Sequence, residues 1–139
     1  MYQRILHAND GSDNAFKALD TALALAALCG ARLDVILVEE LSPRSGTIGD
    51  VAERKTEEDR RVRQLRLRVK QVAEQHEVAV QIHVFSGHPV ERILQFARDA
   101  SSDLLVIGAT QHAALSELIF GRRSDRMTHR ASCSVLIAR

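Results

Sequence analysis

The sequence predicts an α/β fold in which five parallel strands form one doubly wound sheet, in the order 3-2-1-4-5, with four helices. Short β-rich runs alternate with helical patterns along the chain, which is typical of right-handed βαβ units. Most of these runs are continuous aliphatic stretches, as in strands that are buried on both faces. The length of 139 residues suits one domain, and we expect a single domain over residues 1–139.

The strands are predicted from aliphatic and β-branched runs. They cover residues 4–8, 32–38, 78–85, 103–108 and 134–138. The order 3-2-1-4-5 is the most economical doubly wound arrangement of five parallel strands joined by right-handed crossovers.

The helices are predicted from apolar positions at helical spacing. They cover residues 14–29, 51–76, 90–101 and 124–130. Ser12 or Asp13 can cap the first helix, Gly30 ends it, and Pro89 suits the first turn of the third. The apolar stripe of the second helix is formed by Val62, Leu65, Val69, Val72 and Ala73, and its Glu- and Arg-rich remainder reads as a solvated face. Residues 41–50 are predicted to be a crossover loop.

Composition excludes several classes of function. The chain is 45% hydrophobic and 27% charged with a net charge of +1, so bulk charge implies neither nucleic acid nor a membrane surface as a partner. No apolar run approaches the roughly 20 residues of a membrane span, and the first strand begins so early that we expect no signal peptide and a cytoplasmic protein. Cys29 and Cys133 lack metal-ligand spacing and are expected to be small buried residues of a reducing compartment.

The remaining chemistry-bearing residues give little sign of catalysis or metal binding. The six histidines show no HxxxH or HxH spacing, so we expect no metal site; they are His7, His76, His83, His88, His112 and His129. Ser12 and Ser116 lack a nucleophile elbow or an obvious base, which argues against covalent catalysis.

The strand order predicts where a ligand would bind. The chain reverses direction across the sheet between the first and fourth strands, and ligands of open α/β sheets bind at such a switch point, outside the carboxyl ends of the strands. Residues 9–12 and residues 109–123 form the two loops that meet there.

The second of these loops has the form of an anion site. Gly108 ends a buried strand, and Gly121 precedes a helix whose first N–H groups are unpaired and carry partial positive charge. Two glycines so placed favour backbone contact with phosphates. Arg122 and Arg123 lie at a helix start, where positive charge is unfavourable unless an anion or an acidic side chain such as Asp125 compensates it. The sequence leaves both possibilities open.

Asp10 follows the first strand at the same switch point, and two interpretations of it can both hold. It can accept a hydrogen bond from an adenine amino group or a ribose hydroxyl, or it can shape a turn with Gly11 and Ser12. His112 lies in the long loop, where it either contacts a ligand or is simply exposed.

Three stretches carry a resemblance to a known family. They are residues 5–12 (ILHANDGS), Gly87-His88-Pro89, and residues 132–137 (SCSVLI). From end to end the chain resembles the universal stress proteins, which implies a Rossmann-like fold of the adenine nucleotide α-hydrolase type.

The nucleotide-binding branch of that family carries the motif G-x2-G-x9-G-[ST]. Here Gly108, Gln111, Gly121 and Arg122 occupy its four positions, so the spacing is kept and two residue types are changed. The resemblance implies that Asp10 lies at the adenine or ribose end and Val38 against the base. The expected nucleotide-binding residues are Ala8, Asn9, Asp10, Val38, Gly108, Ala109, Gln111, His112, Gly121, Arg122, Arg123 and Ser124. The resemblance, with two motif positions changed, also implies weak or altered ATP binding, with Mg²⁺ bound only together with the nucleotide.

The last strand is predicted to be an aliphatic sheet edge without proline or an inward charge. Such an edge invites pairing with a second chain, and the resemblance implies an antiparallel homodimer through Ser134, Val135, Leu136, Ile137 and Ala138. The alternative is that Arg139 and neighbouring side chains protect a short edge.

Three functions compete. The first is a homodimeric regulatory protein of the stress response that binds an adenine nucleotide. The second is a dimeric interaction module that binds no nucleotide and acts through protein partners. The third, an ATP hydrolase, needs a positioned water or base and usually a Mg²⁺ ligand; since Asp10 is the only evident acid, we expect no enzyme and at most slow, incidental hydrolysis.

Overall fold

One parallel sheet of five strands organises the computed structural model, which describes residues 1–39, 47–109 and 122–139. The strand order is β3-β2-β1-β4-β5, as the sequence predicts. The strands are β1 (Arg4–Ala8), β2 (Arg32–Glu39), β3 (Val80–Ser86), β4 (Leu104–Gly108) and β5 (Ser134–Ala138). The third strand starts two residues later than predicted and the fourth one residue later. Asp103 lies just outside the fourth strand because its carboxylate accepts from the N–H groups of Gln3 and Arg4.

Four helices are described on the two faces of this sheet. They are α1 (Asp13–Cys29), α2 (Ile48–Gln75), α3 (Pro89–Asp99) and α4 (Arg122–Arg130). Ser12 caps α1, and Gly30 ends it in the left-handed conformation, with φ of 63° and its N–H donating to the Ala26 carbonyl. Pro89 is the first residue of α3, where its missing N–H leaves no intrahelical bond unmade.

The start of α2 corrects the sequence prediction. Thr47 Oγ1 accepts from the Asp50 N–H at 3.2 Å, and the Asp50 carboxylate accepts from the Thr47 N–H at 3.3 Å. This reciprocal capping box begins the helix at Ile48, three residues before the predicted start, so residues 48–50 belong to the helix and not to a crossover loop. The predicted loop residues 41–46 lie outside the described part of the chain.

Two apolar layers sandwich the sheet. The first packs one face against α1 and α2; its largest fully buried members include Ile5, Leu19, Leu23, Leu33 and Leu104. The second packs the other face against α3 and α4; it includes Leu6, Ile36, Leu94, Leu105 and Met127. The central strands are therefore covered on both sides, and their carboxyl ends open to the loops.

Candidate functional site

The chain reverses its direction across the sheet between β1 and β4. β1 is paired with β2 on one side and with β4 on the other, and His7 is in register with both Val35 and Val106. The predicted switch point is therefore present, with the carboxyl end of β1 flanked by the ends of both neighbours.

Residues 9–12 form a turn whose polar side chains bind backbone N–H groups further along the chain. Asn9 Oδ1 accepts from the Gly11 N–H at 2.8 Å, and Asp10 Oδ1 accepts from the Ser12 N–H at 2.9 Å. Ser12 Oγ in turn accepts from the Ala15 N–H at 3.1 Å. Gly11 has a φ of +87°, a conformation that favours glycine. The turn role of Asp10 is therefore confirmed, and its exposed carboxylate keeps further lone pairs for other donors.

A fully buried histidine supports this turn from below. His7 has no exposed surface; its Nδ1 lies 3.0 Å from the Val106 carbonyl oxygen and its Nε2 lies 3.1 Å from Asn9 Nδ2. The carbonyl can only accept, so Nδ1 carries the proton and Nε2 accepts from the Asn9 amide. Burial lowers the pKa of His7 to about 4, against the opposing effect of the Val106 hydrogen bond. The imidazole is therefore neutral at pH 7.

The end of β4 packs directly on the start of α1. A Cβ added to Gly108 would lie 2.6 Å from the carbonyl carbon and oxygen of Asn14 and 2.7 Å from the Ala15 nitrogen. Asn14 Nδ2 also donates to the Ala109 carbonyl at 2.8 Å. Packing against α1 thus accounts for glycine at position 108 without a ligand, and contact of Gly108 with phosphates stays a prediction.

Helix α2 contacts the same turn. Arg61 Nη1 donates to the Asp10 carbonyl at 3.5 Å, and Leu65 Cδ1 lies 3.7 Å from the position of an added Gly11 Cβ. Arg61 is also paired with Glu58, with a shortest distance of 2.7 Å. The turn therefore has a cation beside the Asp10 backbone that the sequence did not indicate.

An ion pair fastens α4 to α3. Arg130 donates to both oxygens of Glu91, at 2.7 and 2.8 Å, and Arg126 lies 3.7 Å from the same carboxylate. The hydrogen bond from Arg130 lowers the pKa of Glu91, and the same bond raises the pKa of Arg130. This ion pair links the exposed sides of α3 and α4, beside the buried contact of Met127 with the core.

The predicted acidic partner for Arg122 and Arg123 stays a prediction. Both residues lie in the first turn of α4, which starts two residues before the predicted position. Asp125 lies 3.8 Å from His129; the side chains at 122–124 are outside the described part of the structure.

Comparison with known proteins decides the family. The sequence profile of the universal stress protein family matches residues 1–139. The chain belongs to this family. It is 32% identical over 144 residues to a universal stress protein of Thermus aquaticus, with all of both chains covered.

Solved universal stress protein structures share the fold. The universal stress protein UspA from Lactobacillus plantarum matches with a TM-score of 0.84 at 25% identity, over 99% of this chain and 98% of that chain. A universal stress protein in complex with cAMP matches with a TM-score of 0.79 at 22% identity, over 99% of this chain and 97% of the other. The Rossmann-like expectation is thereby confirmed.

In this universal stress protein the predicted site residues that the structure describes fall into three groups. The turn and the end of β4 bring together Ala8, Asn9, Asp10, Gly108 and Ala109. Val38 lies half-buried near the end of β2, two positions beyond Ile36, the register partner of Ala8. The backbone of Arg122, Arg123 and Ser124 forms the start of α4. Gln111, His112 and Gly121 lie outside the described residues.

Metal binding and membrane insertion find no support in residues 1–39, 47–109 and 122–139. No group of three or more His, Cys, Asp or Glu side chains there could hold a metal ion, and none of the helices found there has the length and apolar character of a membrane span. Cys29 and Cys133 are half-buried and not fully buried as predicted; Cys29 is the last residue of α1, and Cys133 lies just before β5. Burial raises the pKa of the Cys133 thiol.

Three contributors to this site are not predicted from the sequence. Arg61 lies on the helix face that the sequence predicts to be solvated, His7 is one of six histidines without metal-ligand spacing, and Asn14 is predicted only as the start of the first helix. A signal for His7 exists, since a histidine within an aliphatic strand, followed two positions later by asparagine, places two polar side chains on the same covered face.

Proposed function

We propose that this chain is a homodimeric regulatory protein of the stress response that binds an adenine nucleotide, weakly or in altered form, at the switch-point cleft. It acts as a single cytoplasmic domain over residues 1–139 and not as an enzyme. The carrying observation is the exposed Asp10 carboxylate, held by its own turn at the carboxyl end of β1 with acceptor capacity left over.

Two further features support an adenine nucleotide. Val38 offers an apolar, half-buried surface near the end of β2, next to β1, whose following turn carries Asp10, and such a surface suits a base. The described helix α4 begins at Arg122, and the first N–H groups of a helix lack intrahelical partners and suit a phosphate. The related universal stress protein that was solved with cAMP has the same fold.

The altered motif explains why binding is expected to be weak. Gln111 adds a side chain where the family motif has glycine, and Arg122 replaces the small hydroxyl residue but keeps its backbone N–H. Gly108 is already required by the contact with Asn14, so it adds no independent sign of phosphate binding. Mg²⁺ would be held mainly by the nucleotide, because the described residues include no cluster of three metal-binding side chains.

Calorimetric titration with Mg-ATP, with AMP and GTP alongside, tests the proposal. Micromolar, adenine-selective binding that Asp10→Ala weakens about tenfold is the expected result, since the substitution removes one charged hydrogen-bond acceptor. Asp20→Ala, at an exposed carboxylate on α1, is the matched control. No heat at millimolar ligand would overturn nucleotide binding.

The double variant Gln111→Gly with Arg122→Ser tests the reading of the motif. It restores the family pattern and is expected to tighten ATP binding. Unmeasurable affinity in the restored variant would show that the loop is not a degenerate phosphate cradle.

The second candidate function is an interaction module that binds no nucleotide. It is favoured by the packing of Gly108 against the Asn14 backbone of α1, because this packing accounts for the glycine without a bound phosphate. Absence of nucleotide binding in both the wild type and the restored variant would select it.

Homodimerisation through β5 rests on the sheet order. β5 is the last strand of the sheet, it carries Ser134, Val135, Leu136, Ile137 and Ala138, and Ile137 is 40% exposed. Ile137→Lys should dissociate the dimer in sedimentation velocity, because charge on an edge strand opposes pairing. Leu28→Lys, at an 81% exposed leucine of α1, should leave the dimer intact. A monomeric wild type would contradict the proposal.

A further inference from the structure

A continuous chain of hydrogen bonds connects β4 to the turn at the switch point. It runs from the Val106 carbonyl through the His7 ring to the Asn9 amide and ends at the Gly11 N–H. His7 is fully buried and Asn9 is 4% exposed. Neither side chain therefore has bulk water as an alternative partner.

The donors and acceptors of this chain fit in only one arrangement. The Gly11 N–H must donate, which assigns the carbonyl oxygen of Asn9 to it and turns the amide nitrogen toward His7 Nε2. Nε2 must then accept, and Nδ1 must donate to Val106. A flipped Asn9 amide would set its N–H group against the Gly11 N–H and its oxygen against the Nε2 lone pair, leaving buried groups unpaired at both ends.

We propose that His7 and Asn9 are positioning residues of the candidate ligand site: the neutral ring fixes the Asn9 amide, and the amide fixes the turn that presents Asp10. Neither residue needs to touch a ligand for this role. The ligand part of the proposal rests on the function proposed above, whereas the control of the turn does not.

The surroundings make this arrangement sensitive to protonation of the ring. A proton on Nε2 would face the N–H donors of Asn9, and the amide could satisfy it only by flipping and abandoning Gly11. Among the described residues, the charged groups that contact the turn at this end of β1 are Asp10 itself and Arg61 on α2, which is also paired with Glu58. β4 contributes the Val106 carbonyl, and the neighbouring α1 residues of the same layer, Phe16, Ala18 and Leu19, are apolar.

Nuclear magnetic resonance on the full chain tests the positioning role without any ligand. The ring ¹⁵N shifts should show the neutral Nδ1–H tautomer at pH 7. On acidification the Gly11 amide shift should move together with the His7 ring in the wild type. In His7→Gln, which keeps one donor and one acceptor but cannot titrate, that movement should disappear while the amide stays protected from exchange at pH 7.

Asp10 needs its own control, because its carboxylate accepts from the Ser12 N–H, which directly follows Gly11. Asp10→Asn should keep the His7-linked movement of the Gly11 amide. An Nε2–H tautomer, or a Gly11 amide that titrates unchanged in His7→Gln, would overturn the proposal.

Calorimetric titration with Mg-ATP supplies the ligand readout. At pH 7, Asn9→Ala should bind about tenfold more weakly than the wild type with its fold intact by circular dichroism, as expected for loss of a buried hydrogen bond that orders the site. Equal affinity of Asn9→Ala and wild type would refute the positioning of the ligand site. If the wild type binds no nucleotide, the proposed function fails. The His7 tautomer and the pH dependence of the Gly11 amide shift then still decide whether this chain of hydrogen bonds controls the turn.

Discussion

The backbone of Asn14 fills the space in which a side chain at Gly108 would begin. The distance of 2.6 Å from an added Cβ to the Asn14 carbonyl group is far below van der Waals contact, and backbone cannot move aside as a flexible side chain can. The first turn of α1 therefore sits directly on the end of β4, which fixes one wall of the candidate site.

Gly108→Ala should destabilise the protein by about 1–3 kcal/mol, since it overpacks a backbone contact. Urea unfolding monitored by circular dichroism measures this. Gly49→Ala is the matched control, because the nearest atom to its added Cβ is 3.8 Å away; within a helix it should stabilise by up to about 1 kcal/mol. Equal free energies of unfolding for Gly108→Ala and wild type would show that β4 and α1 can move apart enough to accommodate a Cβ without loss of stability.

The buried His7 predicts a specific dependence of stability on pH. Its pKa is about 4 in the folded protein, against 6.5 for an unperturbed histidine ring, so the unfolded chain takes up the proton first. The contribution of His7 is therefore full above pH 6.5 and is lost as the pH falls from 6.5 toward 4, by about 3 kcal/mol in total.

His7→Gln should flatten the stability curve within that window, as measured by urea unfolding between pH 4 and 7. Leu28→Gln, at an exposed leucine of α1, removes no titratable group and should keep the slope of the wild type. Parallel curves for His7→Gln and wild type would mean that His7 is not buried in its neutral form.

The Glu91–Arg130 pair predicts a second, more acidic dependence. The bond from Arg130 lowers the pKa of Glu91 from 4.5, so the pair contributes above that pH and its contribution is lost as the pH falls through the lowered value. Glu91→Gln should lower the urea midpoint at pH 7, and its difference from the wild type should shrink in stronger acid and in high salt. Glu53→Gln, an exposed residue of α2, serves as the control. If the difference in urea midpoint between Glu91→Gln and wild type persists in acid, the effect of the substitution arises from packing and not from the ion pair.

The cap of α1 predicts a cost for losing one hydroxyl. Ser12→Ala removes the acceptor of the Ala15 N–H and should destabilise by about 1 kcal/mol. Thr21→Ala removes a hydroxyl that only donates to the Lys17 carbonyl within the helix and should change stability little. Urea midpoints compare the two, and equal losses would argue that the cap adds nothing beyond helix propensity.

The sheet was predictable from the sequence because its strands are aliphatic runs separated by helical periods. The order 3-2-1-4-5 was predicted as the most economical doubly wound arrangement of these strands. The start of α2 was missed because Thr47 and Asp50 form a capping box with aspartate in place of the usual Glu or Gln, within a stretch that contains glycine and proline and therefore reads as a loop.

The site was less predictable, for physical reasons that differ between residues. A glycine such as Gly108 shows that a side chain is excluded, but not whether a phosphate or another backbone excludes it. The hydrogen bond of His7 to Val106 joins positions 99 apart, so no local pattern can reveal it. Asp10 was predictable because its turn bonds are made within two residues.

The place of β1 at the centre of the sheet has a consequence for biosynthesis. β1 leaves the ribosome first, yet one of its two neighbours is β4, and the Asp103 side chain that accepts from the Gln3 N–H lies 100 positions downstream. While the nascent chain ends before β4, the pairing edge of β1 stays open, and an uncovered strand edge recruits other chains. If translation slows within α3, the edge of β1 stays open for longer, and we expect the nascent protein to need a chaperone most at this stage.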